Sequence, residues 1–347
     1  MSTFRKDAPR LAMDYGIHLG GVSHYGHEKG AFDSAPTFPS VTAPNSGIPS
    51  VFTTAVDPQV IRALITPTRS EQVYGSAKAG DRTQRNRMFP LSEYSGYTAS
   101  YGDYSDAGRA SANANWTNRQ NYLFQTWAQY GNLESEMMGA AGFSWVNEQR
   151  MAAISVLNKT SNSINLWGLS GLELYGALND PALPRAIQPT PKAGTASGKW
   201  TETGDPNLIY NDFVALRFDL NKRLQGNMDQ STPVKVVLPS ELSPVLSYTN
   251  QFGITLEDML KKGFPTMSIE FLPEAGTSMS GGQQSANLVQ MFVPTLDGVD
   301  TVTTAFVDKL VAHRVEQYST YERQKMSAGS WGTIWRRPTA VAQMVGV

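Results

Sequence analysis

Residues 131–181 read GNLESEMMGAAGFSWVNEQRMAAISVLNKTSNSINLWGLSGLELYGALNDP, and this stretch decides the fold. Leu133, Met137, Ala140 and Ala141 recur at helical spacing, and after an interruption from Gly142 to Trp145 the period resumes with Met151, Ile154 and Leu157. Two helical pieces with apolar faces are expected, the second capped by Asn147. That helix is expected to fade between Asn158 and Asn165, where Asn and Ser compete for backbone hydrogen bonds. Gly168, Gly171 and Gly176 then punctuate a short apolar strand that stops at the Asn179-Asp180-Pro181 turn.

A long helix, a strand and a turn would suit any α+β protein, and the flanking segments narrow the choice. Upstream, residues 93–120 read EYSGYTASYGDYSDAGRASANANWTNRQ; downstream, the chain closes with GTIWRRPTAVAQMVGV. The aromatic polar loop, the helix carrying EQRMAA, the exit GLELYGALNDP and the late RRPTAV together resemble a major capsid protein of a tailed bacteriophage, of the Hong Kong ninety-seven fold. The resemblance lies in the order and texture of the chain from about Ser50 onward and includes no catalytic signature.

Read in order, residues 1–57 carry Pro9, Pro36, Pro39, Pro44 and Pro49 among many glycines and hold no apolar period. Such a segment cannot bury enough surface to offset its own ordering. It reads either as a disordered tail or as an arm that becomes ordered by lying across a neighbouring subunit, and its scattered anchors Phe32, Phe38, Val41 and Ile48 favour the arm slightly. Asp57-Pro58 opens a short helix with Val60, Ile61, Leu64 and Ile65 on one side.

From Asp81 to Arg119 the chain is rich in Tyr, Ser, Asn and Gly. Tyr94, Tyr97, Tyr101 and Tyr104 have helical spacing, but Ser95, Gly96, Thr98, Ser100 and Gly102 between them are poor helix formers. An extended hairpin is expected instead, with Phe89-Pro90-Leu91 on the rising arm and Asn113 to Trp116 on the return. A two-stranded ribbon is marginal alone, so its stability must come from what it lies on.

Leu183 to Asp205 reads as a surface loop. Asp205-Pro206 opens an amphipathic helix with Ile209, Phe213, Leu216, Leu220 and Leu224 on one face and Gly226 past its end. Val234 to Leu238 is a strand, Ser240 to Tyr248 a helix, and Thr255 with Asp258 approximates a capping box for a helix ending at Gly263. Met267 to Leu272 and Leu288 to Val293 are strands joined across Gly281-Gly282. Further strands are expected at Val299 to Val307 and Trp331 to Val345, separated by the polar YSTYERQKMSAGS.

The chain has 347 residues, enough for a substantial core. Its 29 basic and 30 acidic residues give a formal charge of −1, which supplies no long-range attraction to phosphate and disfavours a nucleic-acid reader. The absence of cysteine removes disulfides and thiolate chemistry. The first residues, MSTFRKDAPRLAMDYG, lack a signal-peptide core, and no apolar run has the length of a membrane span, so residence in a cytoplasm is expected.

No catalytic, cofactor or metal site is expected. His18, His24 and His27 cluster with Glu28 but sit in the glycine-rich arm, without the rigid frame that metal ligation needs. Gly75 to Gly80 is followed by Asp81 where a phosphate-binding loop has its lysine, and lacks the helix start such a loop requires; no nucleophile elbow occurs. Pairs such as Glu134 with Glu136, and Glu257 with Asp258, read as solvated or capping residues. The tyrosines could stack on bases, but Arg109 stands against Asp103 and Asp106, so contact between subunits suits them better. The expected contact residues are Phe32, Phe38, Tyr94, Tyr97, Tyr101, Tyr104, Arg109 and Trp116.

The resemblance implies an α+β phage capsid fold divided into an N-terminal arm (1–57), the start of a peripheral domain (58–80), an extended hairpin loop (81–119), the peripheral domain with its spine helix (120–171), a mixed α/β axial domain (172–297) and return strands of the peripheral domain (298–347). It implies a structural shell protein, assembled in the host cytoplasm into hexamers and pentamers of an icosahedral virion capsid around DNA. Scaffolding protein, portal and a decoration protein are the partners so implied. Some relatives join a loop lysine to a neighbour's asparagine; no lysine lies between Lys78 and Lys159, so no such bond is expected through this loop. The alternatives are a nanocompartment shell of the same fold and a monomeric carbohydrate-binding or hydrolytic protein.

Overall fold

The structure is a computed structural model, and it describes residues 68–104, 106–192, 197–278 and 284–347. The arm with Phe32 and Phe38, the histidines at 18, 24 and 27, the helix expected after Asp57 and the Gly281-Gly282 connection lie outside those residues.

A short helix α1 (Ser70–Tyr74) leads into β1 (Ser76–Lys78), then the hairpin strands β2 (Asn86–Tyr97) and β3 (Arg109–Gln120), then β4 (Tyr122–Gly131). Two helices follow, α2 (Asn132–Ala140) and the long α3 (Trp145–Trp167). After a loop come α4 (Pro206–Leu224), β5 (Val234–Pro239), α5 (Leu256–Gly263), β6 (Met267–Leu272) and β7 (Leu288–Phe292). A small ribbon of β8 (Thr295–Leu296) and β9 (Val299–Asp300) precedes the long β10 (Val302–Gln317) and β11 (Tyr321–Trp335), and β12 (Val341–Val345) closes the chain.

These strands form two four-stranded sheets. The first has the order β1-β10-β11-β4, with β1 parallel to β10 and the remaining pairs antiparallel. One of its faces carries α3, and Ala153 and Leu157 pack there against Ala128 and Met326. The second has the order β12-β7-β5-β6, with β5 and β6 parallel. On it rests α4, whose Ile209, Phe213, Leu216, Leu220 and Leu224 are all buried, as their spacing requires. Asp205 caps this helix by accepting from the Asn207 N–H at 2.9 Å, and Pro206 fills the first turn. A third cluster, centred on Tyr74, Phe292 and Trp335, joins elements of the two sheets.

Several local expectations are corrected. Asn147 lies inside α3 and Ser144 precedes the helix, which carries no side-chain cap. The helix does not fade at Asn158 to Asn165 but runs to Trp167, because the asparagines are engaged by tertiary partners and not by their own backbone. Asn162 Oδ1 accepts from the Ser70 N–H at 3.0 Å, and its Nδ2 donates to Glu274 at 2.6 Å. Asn165 accepts from the Ser330 hydroxyl at 3.0 Å and donates to the Ser70 hydroxyl at 3.3 Å.

No strand follows the helix: residues 168–176 double back through a single bridge between Leu169 and Leu174. Gly168 (φ +67°) would place a Cβ 2.2 Å from Leu174 O, and Gly176 would place one 2.1 Å from Leu166 C, so both approaches require glycine. Ser240–Ser247 is a 3-10 helix with Pro244 inside it, where an α-helical hydrogen bond could not form.

The loop from Leu183 to Asp205 is not wholly on the surface. Lys192 and Trp200 are buried against Asp212 of α4; the Trp200 indole N–H donates to Asp212 at 2.8 Å, and Lys192 forms an ion pair with the same carboxylate.

The polar stretch Tyr321 to Ser330 is β-strand, hydrogen-bonded on both sides by β10 and β4. Its polar side chains are half-buried or buried and find partners across the fold, Ser327 with Arg82 and His313 and Ser330 with Asn165. The strand expected from Trp331 to Val345 breaks at the 3-10 turn Pro338–Ala340, as a proline without a donor favours. The last segment, Val341–Val345, then pairs with β7 of the second sheet, whereas it was expected to return to the sheet of the long helix with the rest of 298–347. Ala340, Val341, Ala342 and Met344 are buried there, so apolar burial decides which sheet it joins.

Candidate assembly surface

The hairpin pairs in unbroken antiparallel register from Asn86 with Gln120 to Tyr97 with Arg109. Phe89 stands opposite Thr117 and Pro90 opposite Trp116. Most of its length buries nothing in the subunit. Tyr94 is 88% exposed and Tyr101 96%, Tyr97 and Tyr104 project likewise, and Trp116 and Arg109 are also exposed. Large aromatic area held in water is unfavourable for a lone subunit and favourable for a contact, since tyrosine brings area with little entropy loss. The expected contact residues 94, 97, 101, 104, 109 and 116 thus share one ribbon; Phe32 and Phe38 fall outside the described residues.

Its base, in contrast, is fixed. The loop after α3 clasps β3: Gln120 N–H donates to Glu173 O at 3.0 Å, Glu173 N–H donates to the Gln120 side chain at 3.2 Å, and Asn118 Nδ2 donates to the Glu173 carboxylate at 2.6 Å. Arg119 turns inward, lies 4.7 Å above the Tyr175 ring and donates to Asp180 Oδ2 at 2.6 Å. Both side chains of that ion pair are almost fully enclosed. Burial pushes the Asp180 carboxyl above its ordinary range, opposed by the Ala182 N–H and the Arg119 charge. The clasp escaped the sequence reading: Asn179-Asp180-Pro181 registered only as a turn, and Arg119 only as the end of a polar run.

The face of the first sheet opposite α3 is exposed along β4 and covered farther in, where Ser327 is buried. Leu123 and Trp127 of β4 are exposed on it, and Arg323 of β11 is stacked between Trp127 (4.4 Å) and Tyr318 (4.8 Å) while it pairs with Glu316. His313 is half-buried beside the Ser327 hydroxyl at 2.9 Å. Among the described residues no three His, Asp or Glu side chains converge as a metal site would require.

An aromatic hairpin stands on a two-sheet body with a long helix, and comparison with known proteins places this arrangement. The family model described as Pa193 gp26 major capsid protein matches residues 39–346. The chain belongs to this major capsid protein family. Among solved structures, this capsid protein is similar to the capsid of Myoviridae phage XM1, with a TM-score of 0.70 at 12% identity over 87% of this chain and 100% of that one. It is also similar to a Gordonia phage Cozz chain (TM-score 0.56, 10% identity, 84% of this chain and 90% of that one). A third likeness is to the capsid of a native GTA particle (TM-score 0.54, 12% identity, 84% and 95%). At such identities the likeness establishes the fold, and the α+β capsid fold is the one observed. No curated protein sequence matches the capsid protein.

Proposed function

We propose that this major capsid protein builds the icosahedral head shell of a tailed phage around DNA, assembling in the host cytoplasm as hexamers and pentamers. The observation that carries this reading is the hairpin: a ribbon rigidly clasped at its base by Arg119 and Asp180 exposes Tyr94, Tyr97, Tyr101 and Tyr104 along its outer half. A neighbouring copy supplies the missing cover, and the exposed side of β4 around Leu123 and Trp127 is a second apolar surface left for such contact. Many such contacts linked in one closed shell act at high effective concentration, so each one can be modest.

The role is structural and not catalytic. DNA is enclosed without sequence readout, in keeping with the near-zero net charge. Scaffolding protein, portal and a decoration protein are the partners that such a shell takes. Electron microscopy of the purified overexpressed chain tests the proposal. Closed shells or curved sheets are expected; a species with the mass of one chain at high concentration would overturn it.

A further inference from the structure

Along one edge of the first sheet, main-chain groups have no partner among the described residues. β4 runs beside β11 in unbroken antiparallel register, from Tyr122 with Ser330 to Gly131 with Tyr321. In such a ladder only every second residue exchanges hydrogen bonds with the strand opposite. The Asn132 N–H donates to Thr320 O at 3.0 Å, which fixes the phase. The even residues of β4 bond to β11, and the N–H and C=O groups of Leu123, Gln125, Trp127 and Gln129 point outward.

Both ends of this row are closed. At one, the Asn121 N–H donates to Arg85 O at 2.8 Å where the hairpin ladder stops. The chain before Arg85 then leaves the edge, since Arg82 donates to the Ser327 hydroxyl at 2.7 Å on the face of the sheet. At the other end the Glu134 carboxylate accepts from the Gly131 N–H at 3.4 Å, where α2 begins. Between them no described group bonds to the outward main chain.

Exposed sheet edges template pairing with another chain, and charge, proline, bulges or cover normally blunt them. The opposite edge of the same sheet is blunted: past Phe306, where β1 ends, β10 carries Lys309 and Arg314, and its ladder shifts register four times. β2 contains Pro90, the outer edge of β3 is taken at its base by Glu173, and Ile187 bonds to the outer side of β12. β4, YLFQTWAQYG, has no charge, no proline and no bulge.

Such a row selects an extended strand that is itself uncharged and uncovered, and the same row on a second copy meets that condition. Turned about a two-fold axis at Trp127, it presents outward groups at matching positions, because Gln125 and Gln129 lie two residues to either side. An uncharged strand does not repel its copy, and the exposed Trp127 gains an aromatic partner across the axis.

We propose that β4 pairs with β4 of a second copy, antiparallel about a two-fold axis at Trp127, and so joins two four-stranded sheets into one between neighbouring capsomers. This rests on the shell reading above and adds a contact of like with like, as a two-fold interface requires.

The lack of cysteine in the natural chain supplies the test. In the pairing, Gln125 of one copy stands opposite Gln129 of the other at a Cα separation of about 5.5 Å, which a disulfide spans. Along one strand the two exposed glutamines are about 14 Å apart and cannot be bridged. The double variant Gln125→Cys/Gln129→Cys, assembled and then oxidised, should run on a denaturing gel as a dimer and nothing larger, and each single variant as a monomer. Shells that yield no dimer, or a ladder beyond it, overturn the contact and leave the shell reading intact; a wild-type chain that forms no shells removes that reading and the contact with it. Should the cysteine variant not assemble, charge decides. Gln125→Lys/Gln129→Lys sets like charges opposite each other and should lower shell yield at least tenfold, with the thermal midpoint of the free subunit unchanged. Gln125→Lys/Gln129→Glu sets opposite charges there and should restore the yield. Equal yields from the two variants would overturn the contact.

Discussion

The Arg119 guanidinium donates to the Asp180 carboxylate at 2.6 Å with both side chains almost fully enclosed, so one buried ion pair fixes the point where the hairpin leaves the body. Arg119 belongs to the last residues of β3 and Asp180 to the turn that follows the doubled-back loop after α3. Rotation of the ribbon about its base would separate them.

Removing one partner should therefore cost more than the pair contributes. Asp180→Ala leaves the Arg119 charge buried without a partner, and a loss of about 3–5 kcal/mol is expected in urea unfolding of the free subunit. The double variant Arg119→Met/Asp180→Leu should recover most of that loss, because two apolar chains replace two desolvated charges. A double variant no more stable than the single one would contradict the assignment.

The pH dependence of the same pair has a definite sign. Asp180 holds its proton to a higher pH in the folded state than in the unfolded chain. The stability it contributes is thus full below the unfolded value of 3.8 and is lost as the pH rises through the raised folded value. Asp180→Asn cannot titrate. The unfolding free energy of the wild type minus that of Asp180→Asn should grow as the pH falls from about 7 toward about 4; a difference that stays flat would show the carboxyl to be unperturbed.

Asn162 should behave as a tertiary clamp. Asn162→Leu strands the Ser70 N–H and the Glu274 carboxylate together, at about 1–3 kcal/mol for each unsatisfied group. Thermal unfolding of the variant measures this, and a change under about 0.5 kcal/mol, typical of an unconstrained surface site, would contradict it.

These residues also mark what the sequence could and could not disclose. The apolar face of α4 was legible because Ile209, Phe213, Leu216, Leu220 and Leu224 repeat at helical period and bury on that face. The hairpin was legible because glycine and serine between the tyrosines exclude a helix. Asn162 and Asn165 misled because propensity treats asparagine as a competitor for its own backbone, whereas here Ser70, Glu274 and Ser330 take up those amides across gaps of 92 to 165 residues. Tyr321 to Ser330 hid its strand because its buried serines are satisfied by Arg82, His313 and Asn165, partners that no local pattern discloses. The clasp depends on contacts between segments some 60 residues apart, and no spacing within either segment encodes them.

The hairpin tyrosines should separate folding from assembly. Tyr94→Ser/Tyr101→Ser changes two exposed side chains and should shift the unfolding free energy of the subunit by no more than about 0.5 kcal/mol per site. Shell yield should fall sharply in the same variant, as measured by sedimentation. Unchanged yield would show that the ribbon is not a contact.

Hydroxyl-radical footprinting before and after assembly reads the proposed burial at the residues concerned. In the free subunit Tyr94, Tyr97, Tyr101 and Tyr104 should all be modified readily, in line with their exposure. In the closed shell they should be protected while tyrosines already buried, such as Tyr74, show no change. Hairpin tyrosines that react as fast in the shell as in the free subunit would contradict the account.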